Sequence, residues 1–355
     1  MRLFPKHRDL SQPPDRVELV VRGSDLQLPE EEVHVRLDAF LGQFIHWRSR
    51  TSIQRLIREG FVLIDPSDPA NPAGRGELTA ELRPGKRLLH GSRVVVVIPE
   101  PQRIQRATSA ASELTILYED DQILAVDKPP ILPVHPSGRH LSDTLIQRVH
   151  AAYDQRKLDR EWRIKLCHRL DRETSGIVLM ARDPVSHSAI MKQFERRDVD
   201  KEYHAIVRGV PEVDSGDINL PLGPASTSQV RIKMAAVTAG LEARTRWRVL
   251  ERYTDCALVS CKPETGRQHQ IRVHMDAIGH SLVGDKLYGV DEQVFLRASQ
   301  GETTRADEVL LGLNRHALHN HHISIRNPKT GEMVAVRSPI PEDMRQFLAG
   351  RERID

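Results

Sequence analysis

The chain has 355 residues, of which 39% are hydrophobic and 28% charged, so it has room for two or three domains and the make-up of an ordinary soluble protein. A net charge of +3 does not by itself call for a polyanionic partner, no apolar run approaches a membrane span, and the start MRLFPKHRDL has no apolar signal core. Three cysteines, Cys167, Cys256 and Cys261, form no CxxC pair, which argues against a disulfide framework or zinc ribbon and for a reducing, cytoplasmic compartment.

Residues 1–15 are polar and Pro-containing, as in a disordered tail. RVELVVR, from Arg16, alternates like a strand. Leu37, Phe40, Leu41, Phe44 and Ile45 then recur at helical spacing. Ser49 or Thr51 can cap a second helix, SIQRLIREG, which Gly60 stops, and the apolar strand FVLID follows. Between His46 and Arg58 stand Arg48, Arg50, Arg55 and Arg58 with no acid, suiting either a phosphate-binding face or a solvated helix. Residues 66–85, rich in Pro and Gly, read as a surface loop, and RVVVVI closes the segment at Ile98. Residues 100–112 are patternless, as expected of a linker.

A second region begins near Glu113 with two short strands and a Pro-rich loop, LTILYEDDQILAVDKPPILPVHP. Helical periodicity over Asp143–Tyr153 leads to LCHRLDRETSGIVLMAR, a polar cluster set before a short apolar run that reads as a buried strand. One carboxylate, Asp171, sits there between Arg169 and Arg172. Pro184–Arg196 has the pattern of an amphipathic helix, and DKEYHAIVRG that of an alternating strand. A polar loop carrying Arg231 and Lys233 precedes the strand ARTRWRVL, and its basic residues suit either RNA contact or a hairpin surface. In PETGRQHQIRVHM, the residues Arg267, His269, Gln270, Arg272 and His274 follow a Thr265–Gly266 turn and open a helix whose N-terminal end favours an anion. Val290–Asn314 reads as an exposed insertion. Histidines 316, 319, 321 and 322 lack a carboxylate or thiolate at ligand spacing and are assigned to a strand, with no metal site. A hairpin turning at Lys329–Gly331, a final helix over Pro339–Leu348 and a tail from 349 complete the chain.

HRLDRETSG resembles the H-R-L-D-x-x-T-S-G signature of the RluA-family pseudouridine synthases. KEYHAIVRG is similar to that family's K-x-Y-x-A-x-V-x-G, and PETGRQHQIRVH with GHSLVGDKLYG to its L-x-T-G-R-x-H-Q-[IL]-R-x-H and G-H-x-[IL]-x-G-D-x-x-Y-G segments. DKPPILPVHP resembles the family's N-K-P-x-G-L-x-V-H-P but departs at Asp127, where Asn is common, and at Ile131, where Gly is. Pro263 replaces an apolar residue in the third. Arg36-Leu37-Asp38 through Val62 resembles the S4 RNA-binding domain.

The resemblance implies an α+β protein: a small S4-like domain over 16–99, the linker, and a mixed or antiparallel-sheet pseudouridine synthase domain over 113–348. It implies Asp171 as the catalytic aspartate, Tyr203 as the active-site tyrosine and Arg267 as the partner of Asp171. RNA contacts are expected from Arg36, Arg48, Arg50, Arg55, Arg58, His168, Arg169, Arg231, Lys233, His269 and Arg272. The expected partner is ribosomal RNA, or alternatively transfer RNA, met by a monomer with no membrane partner. Isomerisation requires no cofactor, and none is expected. The rival from a different class is a non-catalytic S4-containing RNA-binding protein. A metal-dependent nuclease would need grouped carboxylates that the motifs lack.

Overall fold

Alternating apolar strands build a separate sheet in each half of the chain. The computed structural model describes residues 15–45, 48, 50–65, 76–100, 114–136, 143–155 and 164–354. The expected tail before Asp15, the cap at Ser49, most of the linker and residues 66–75 of the Pro/Gly loop lie outside the described residues. The described residues fall into two compact units, one within Met1–Thr108 and His135–Ser142, the other within Ser109–Val134 and Asp143–Asp355. No helix among them is long and apolar enough to cross a membrane.

In the first unit, strands Arg16–Val20, Arg93–Val97, Val62–Asp65 and Thr79–Ala80 lie side by side, all antiparallel. Part of the expected 66–85 loop thus returns to the sheet as its edge strand. Helices Leu37–Phe44 and Arg50–Arg58 bury Leu37, Phe40, Leu41, Ile53, Leu56 and Ile57 against it. Asp38 is fully buried between these helices. Its carboxylate accepts from Arg36 at 3.0 and 3.1 Å, from Gln54 at 2.8 Å and from Arg50 at 3.3 Å. The Arg36 hydrogen bonds outweigh burial and hold its pKa well below the usual range.

The second unit is built on a mixed sheet of eleven strands among the described residues. Its main path runs Ser215–Asn219, Arg244–Tyr253, Cys256–Pro263, Asp200–Arg208, Leu318–Arg326, Ser175–Ala181, Ile123–Lys128 and Thr115–Glu119. The residues after 349, expected to form a tail, contribute an edge strand, Arg353–Ile354, on Arg252 and Tyr253. Val290–Asn314, expected as an exposed insertion, is mostly exposed but structured. It forms helices Glu292–Gln300 and Arg305–Leu311, the second closed by a capping box of Thr304 and Asp307, and buries Val294 and Leu311.

Along this path one neighbouring pair is parallel, Ser175–Ala181 with Leu318–Arg326. Parallel strands start at the same end of a sheet, so the segments leading into them, 166–174 and 312–317, are brought side by side. Gly176 makes the approach possible. It pairs with Asn320 at φ +105°, and a Cβ there would lie 2.3 Å from the Asn320 carbonyl oxygen. Gly176→Ala is therefore expected to destabilise the protein by about 2 kcal/mol or more, through strain and separation of the strand pair. Urea unfolding measures this, and an unchanged midpoint would mean that the backbone approach is not required.

Candidate active site

The segment carrying Asp171 is sewn to its neighbour by buried polar groups. Thr174 Oγ1 lies 2.7 Å from His316 Nε2, the Glu173 carboxylate accepts from the His316 backbone N–H at 3.2 Å, and Lys286 Nζ bonds Glu173 at 2.9 Å. Arg315, buried and paired with Asp343, also donates to the Glu173 carbonyl. Underneath, the fully buried Lys128 spends its three N–H groups on the carbonyls of Pro129, Leu132 and Arg172, at 2.8, 3.0 and 3.0 Å. The Pro-rich motif loop and the Asp171 loop are thereby tied to one ammonium. His168 Nε2 accepts from the Leu179 N–H at 3.0 Å, and burial pulls its pKa down to about 3. Its ring fixes the loop and also lines the cavity, where the sequence places an RNA contact.

The second motif supplies the facing wall. Thr265 Oγ1 and the Arg267 N–H both donate to Gln270 Oε1, and the Gln270 amide donates to the Arg244 carbonyl and to Thr245. This lattice starts the helix Gln270–Ala277 and turns Arg272 inward. Arg272 Nη1 donates to Asp171 Oδ2 at 3.1 Å, while Nε and Nη2 grip both oxygens of the fully buried Asp285 at 2.6 and 2.9 Å. Asp285 also accepts from the N–H groups of Leu287 and Tyr288. Burial works against the guanidinium, but Asp285 and then Asp171 outweigh it and raise its pKa. The ion pair expected between Asp171 and Arg267 is thus made by Arg272. Arg267 lies in the turn before the helix, where its Nε donates to the Glu242 carbonyl at 3.0 Å.

His269 is held by the second motif. The Tyr288 hydroxyl accepts from the Met234 N–H at 3.0 Å and hydrogen-bonds His269 Nδ1 at 2.8 Å. His269 Nε2 faces Asp171 Oδ2 at 3.9 Å. Burial, and then the Arg272 charge, hold the imidazole at a pKa of about 4, so the RNA contact expected of it would be made by a neutral ring.

These walls enclose a cavity of about 520 Å³ lined by Asp171, Tyr203, Arg169, Arg267, His269 and Arg272, among others. Tyr203 projects from the central strand. Burial and the Asp171 charge raise its pKa, keeping the phenol protonated. Arg169 is exposed at the cavity wall. Arg231 is exposed too, whereas Lys233 is held by Glu292 at 2.8 Å. In the first unit, Arg36 and Arg50 serve Asp38, Arg55 pairs with Glu59 at 2.6 Å, Arg48 is partly buried beside Ser52, and Arg58 is exposed. Sequence reasoning missed Lys128, Asp285, Tyr288 and the Glu173–His316 contacts. The G-D-x-x-Y segment carried a usable signal, because a carboxylate next to a tight glycine turn inside an apolar stretch requires a buried cation.

The family model for RNA pseudouridylate synthase matches residues 122–277. A relative in Nitrosomonas europaea, Ribosomal large subunit pseudouridine synthase D, is 33% identical over 326 residues, 91% of this chain and 86% of that one. The chain belongs to the RNA pseudouridylate synthase family. The synthase is likewise 34% identical to Ribosomal large subunit pseudouridine synthase D of Pseudomonas aeruginosa, over 91% of this chain and 94% of that one. It is 32% identical to an RNA pseudouridine synthase of Bacillus subtilis, YlyB, over 91% and 96%. Among solved structures, Human RNA Pseudouridylate Synthase Domain Containing 1 matches with a TM-score of 0.54 at 25% identity, covering 69% of this chain and 91% of that one.

Lys128 offers a test of how the two motif loops are joined. Lys128→Met leaves three buried carbonyls without a donor and is expected to cost roughly 3 kcal/mol. Burial lowers the lysine pKa from 10.5 to about 7. The unfolded chain therefore binds more protons as pH rises above that value, and the lysine's contribution to stability increases in the same direction. The difference in unfolding free energy between wild type and Lys128→Met should be larger at about pH 9 than at about pH 6. A difference that shrinks over this range would show that the three carbonyls hold the ammonium charged against burial.

Proposed function

We propose that this synthase isomerises uridines of large-subunit ribosomal RNA, in the cytoplasm, with Asp171 as the catalytic carboxylate. The observation that carries the residue assignment is the asymmetry of that carboxylate. Oδ2 takes Arg272 and faces His269, while Oδ1 has no protein partner among the described residues and the side chain lines the cavity. Conversion to pseudouridine breaks C1′–N1, turns the uracil and forms C1′–C5. A proton leaves C5 and one is gained at N1, so nothing is consumed. An anionic oxygen beside C1′ stabilises or traps that electron-poor carbon, as carboxylates do in glycosidases. Arg272 orients the carboxylate, and the protonated Tyr203 lies against the nucleotide. Uracil stacked in a helix hides C1′ and C5, so the target nucleotide enters unpaired or extruded. The names of the relatives from Nitrosomonas and Pseudomonas support ribosomal RNA over transfer RNA as substrate.

Asp171→Asn is expected to lower single-turnover pseudouridine formation on a large-subunit transcript roughly a thousandfold or more, with RNA affinity nearly unchanged. Turnover above a few per cent of wild type would remove Asp171 from this role.

We also read the first unit as an S4-like RNA-binding domain, on its paired helices and their arginines. Arg58→Gln should reduce the slope of log affinity against log salt by about 0.7–0.9, the contribution of one phosphate contact. An unchanged slope would show that Arg58 does not touch phosphate.

A further inference from the structure

The strand Asp200–Arg208 sends alternate side chains into the cavity, so Lys201 stands roughly 7 Å along the same face from Tyr203. Among the described residues, its ammonium makes no hydrogen bond or ion pair. The neighbour it has is the ring of Phe194, whose centroid is 5.9 Å from Nζ. Phe194 in turn lies 5.3 Å from the His168 ring, which is neutral and already engaged by Leu179. Asp200 meets Lys262 at 3.7 Å and His322 at 3.9 Å instead.

A buried ammonium is costly unless acceptors and opposite charge compensate it. Lys128 shows how the fold satisfies such a group, with three carbonyls in place. Lys201 has none, although it is substantially buried and lines the cavity that takes the nucleotide. Burial lowers its pKa, and the charge of Asp200 opposes this only in part. The compensation must then come from the ligand. A uracil carbonyl brings a partial charge. A phosphodiester brings a full negative charge on two free oxygens, and so matches an ammonium far better. Arg197, on the same wall, is held by Glu242 at 2.9 Å, and Arg169 lies exposed at the cavity wall beside Asp171, whereas Lys201 stands on the strand of Tyr203.

We propose that Lys201 is a positioning residue that binds the phosphodiester adjacent to the target uridine, an inference that rests on reading the cavity as the uridine site. The contact fixes the backbone one strand pleat from Tyr203 and so sets how far the nucleotide can advance toward Asp171.

Single-turnover kinetics on an RNA oligomer spanning a uridine modified by the wild-type enzyme provide the test. Lys201→Met should raise the half-saturating concentration roughly ten- to a hundredfold, with the rate at saturation changed by less than about threefold. Lys201→Arg should recover most of the loss. A neutral methylphosphonate placed on the 5′ or the 3′ side of the target should weaken wild type by the same factor at one of the two positions. Lys201→Met should be indifferent to that replacement, because the charge and its partner act as one unit. Additive effects of the variant and the methylphosphonate, or no change from either, would overturn the proposal. The methylphosphonate arm on wild type tests it independently of how the variant folds. Wild-type turnover of the unmodified oligomer stands as the separate check on the synthase reading, so a negative result for Lys201 falls on this contact alone.

Discussion

One guanidinium, that of Arg272, answers to two carboxylates. Asp285 is fully buried and takes two of its nitrogens, and Asp171 takes the third. Removing a buried partner from such a set typically costs about 3–5 kcal/mol, because it leaves an uncompensated charge. The helix Gln270–Ala277, the turn at Asp285 and the Asp171 loop are consequently locked in one geometry. Gly284 packs the Asp285 turn onto the neighbouring lead-in segment so closely that a Cβ would meet the Arg315 carbonyl oxygen at 1.9 Å. Sharing has a chemical consequence as well. One guanidinium divided between two carboxylates fixes the orientation of Asp171 through Oδ2 and leaves its Oδ1 without a protein partner among the described residues.

The surrounding histidines contribute geometry in place of charge. Burial holds His168, His269 and His316 well below their ordinary pKa, so each is a neutral donor and acceptor with a definite partner. His168 accepts from Leu179, His269 is oriented by Tyr288, and His316 bonds Thr174. Near neutral pH these rings do not titrate. Cationic character at the carboxylate comes from Arg272, whose protonation no accessible pH alters.

Much of this was legible in the sequence where a side chain's role follows from its place in a local pattern. Asp171 stands between Arg169 and Arg172 before a buried strand, Tyr203 alternates along a strand, and the helix Pro184–Arg196 announces itself by its apolar spacing and by Pro184 at its start. The partner of Asp171 was not legible. Arg267 and Arg272 lie five positions apart in one basic motif, and spacing cannot say which of them faces a carboxylate about a hundred residues away. The answer lay in Asp285, which belongs to yet another segment. The helices within Val290–Asn314 were not legible for a related reason: they are short, and Phe295 and Leu296 of the first pack on Leu287 and Tyr288 from outside the segment. Basic residues in loops were read as free, although acids distant in sequence, such as Glu292 for Lys233, had already claimed some of them.

That last point bears on how the synthase meets RNA. A chain with a net charge of +3 has little long-range attraction to spare. Many of its arginines are already engaged: Arg36 and Arg50 at Asp38, Arg55 at Glu59, Arg197 at Glu242 and Arg244 at Asp217. The exposed cations without such a partner among the described residues include Arg58, Arg169 and Arg231. Binding that relied on charge alone would therefore be weak and tolerant of sequence. On the proposed reading, recognition is concentrated where a few unpaired cations adjoin a shaped cavity, as Arg169 does beside Asp171. Discrimination among uridines would then depend on which RNA can present an unpaired nucleotide to that cavity, more than on the total number of phosphates in reach.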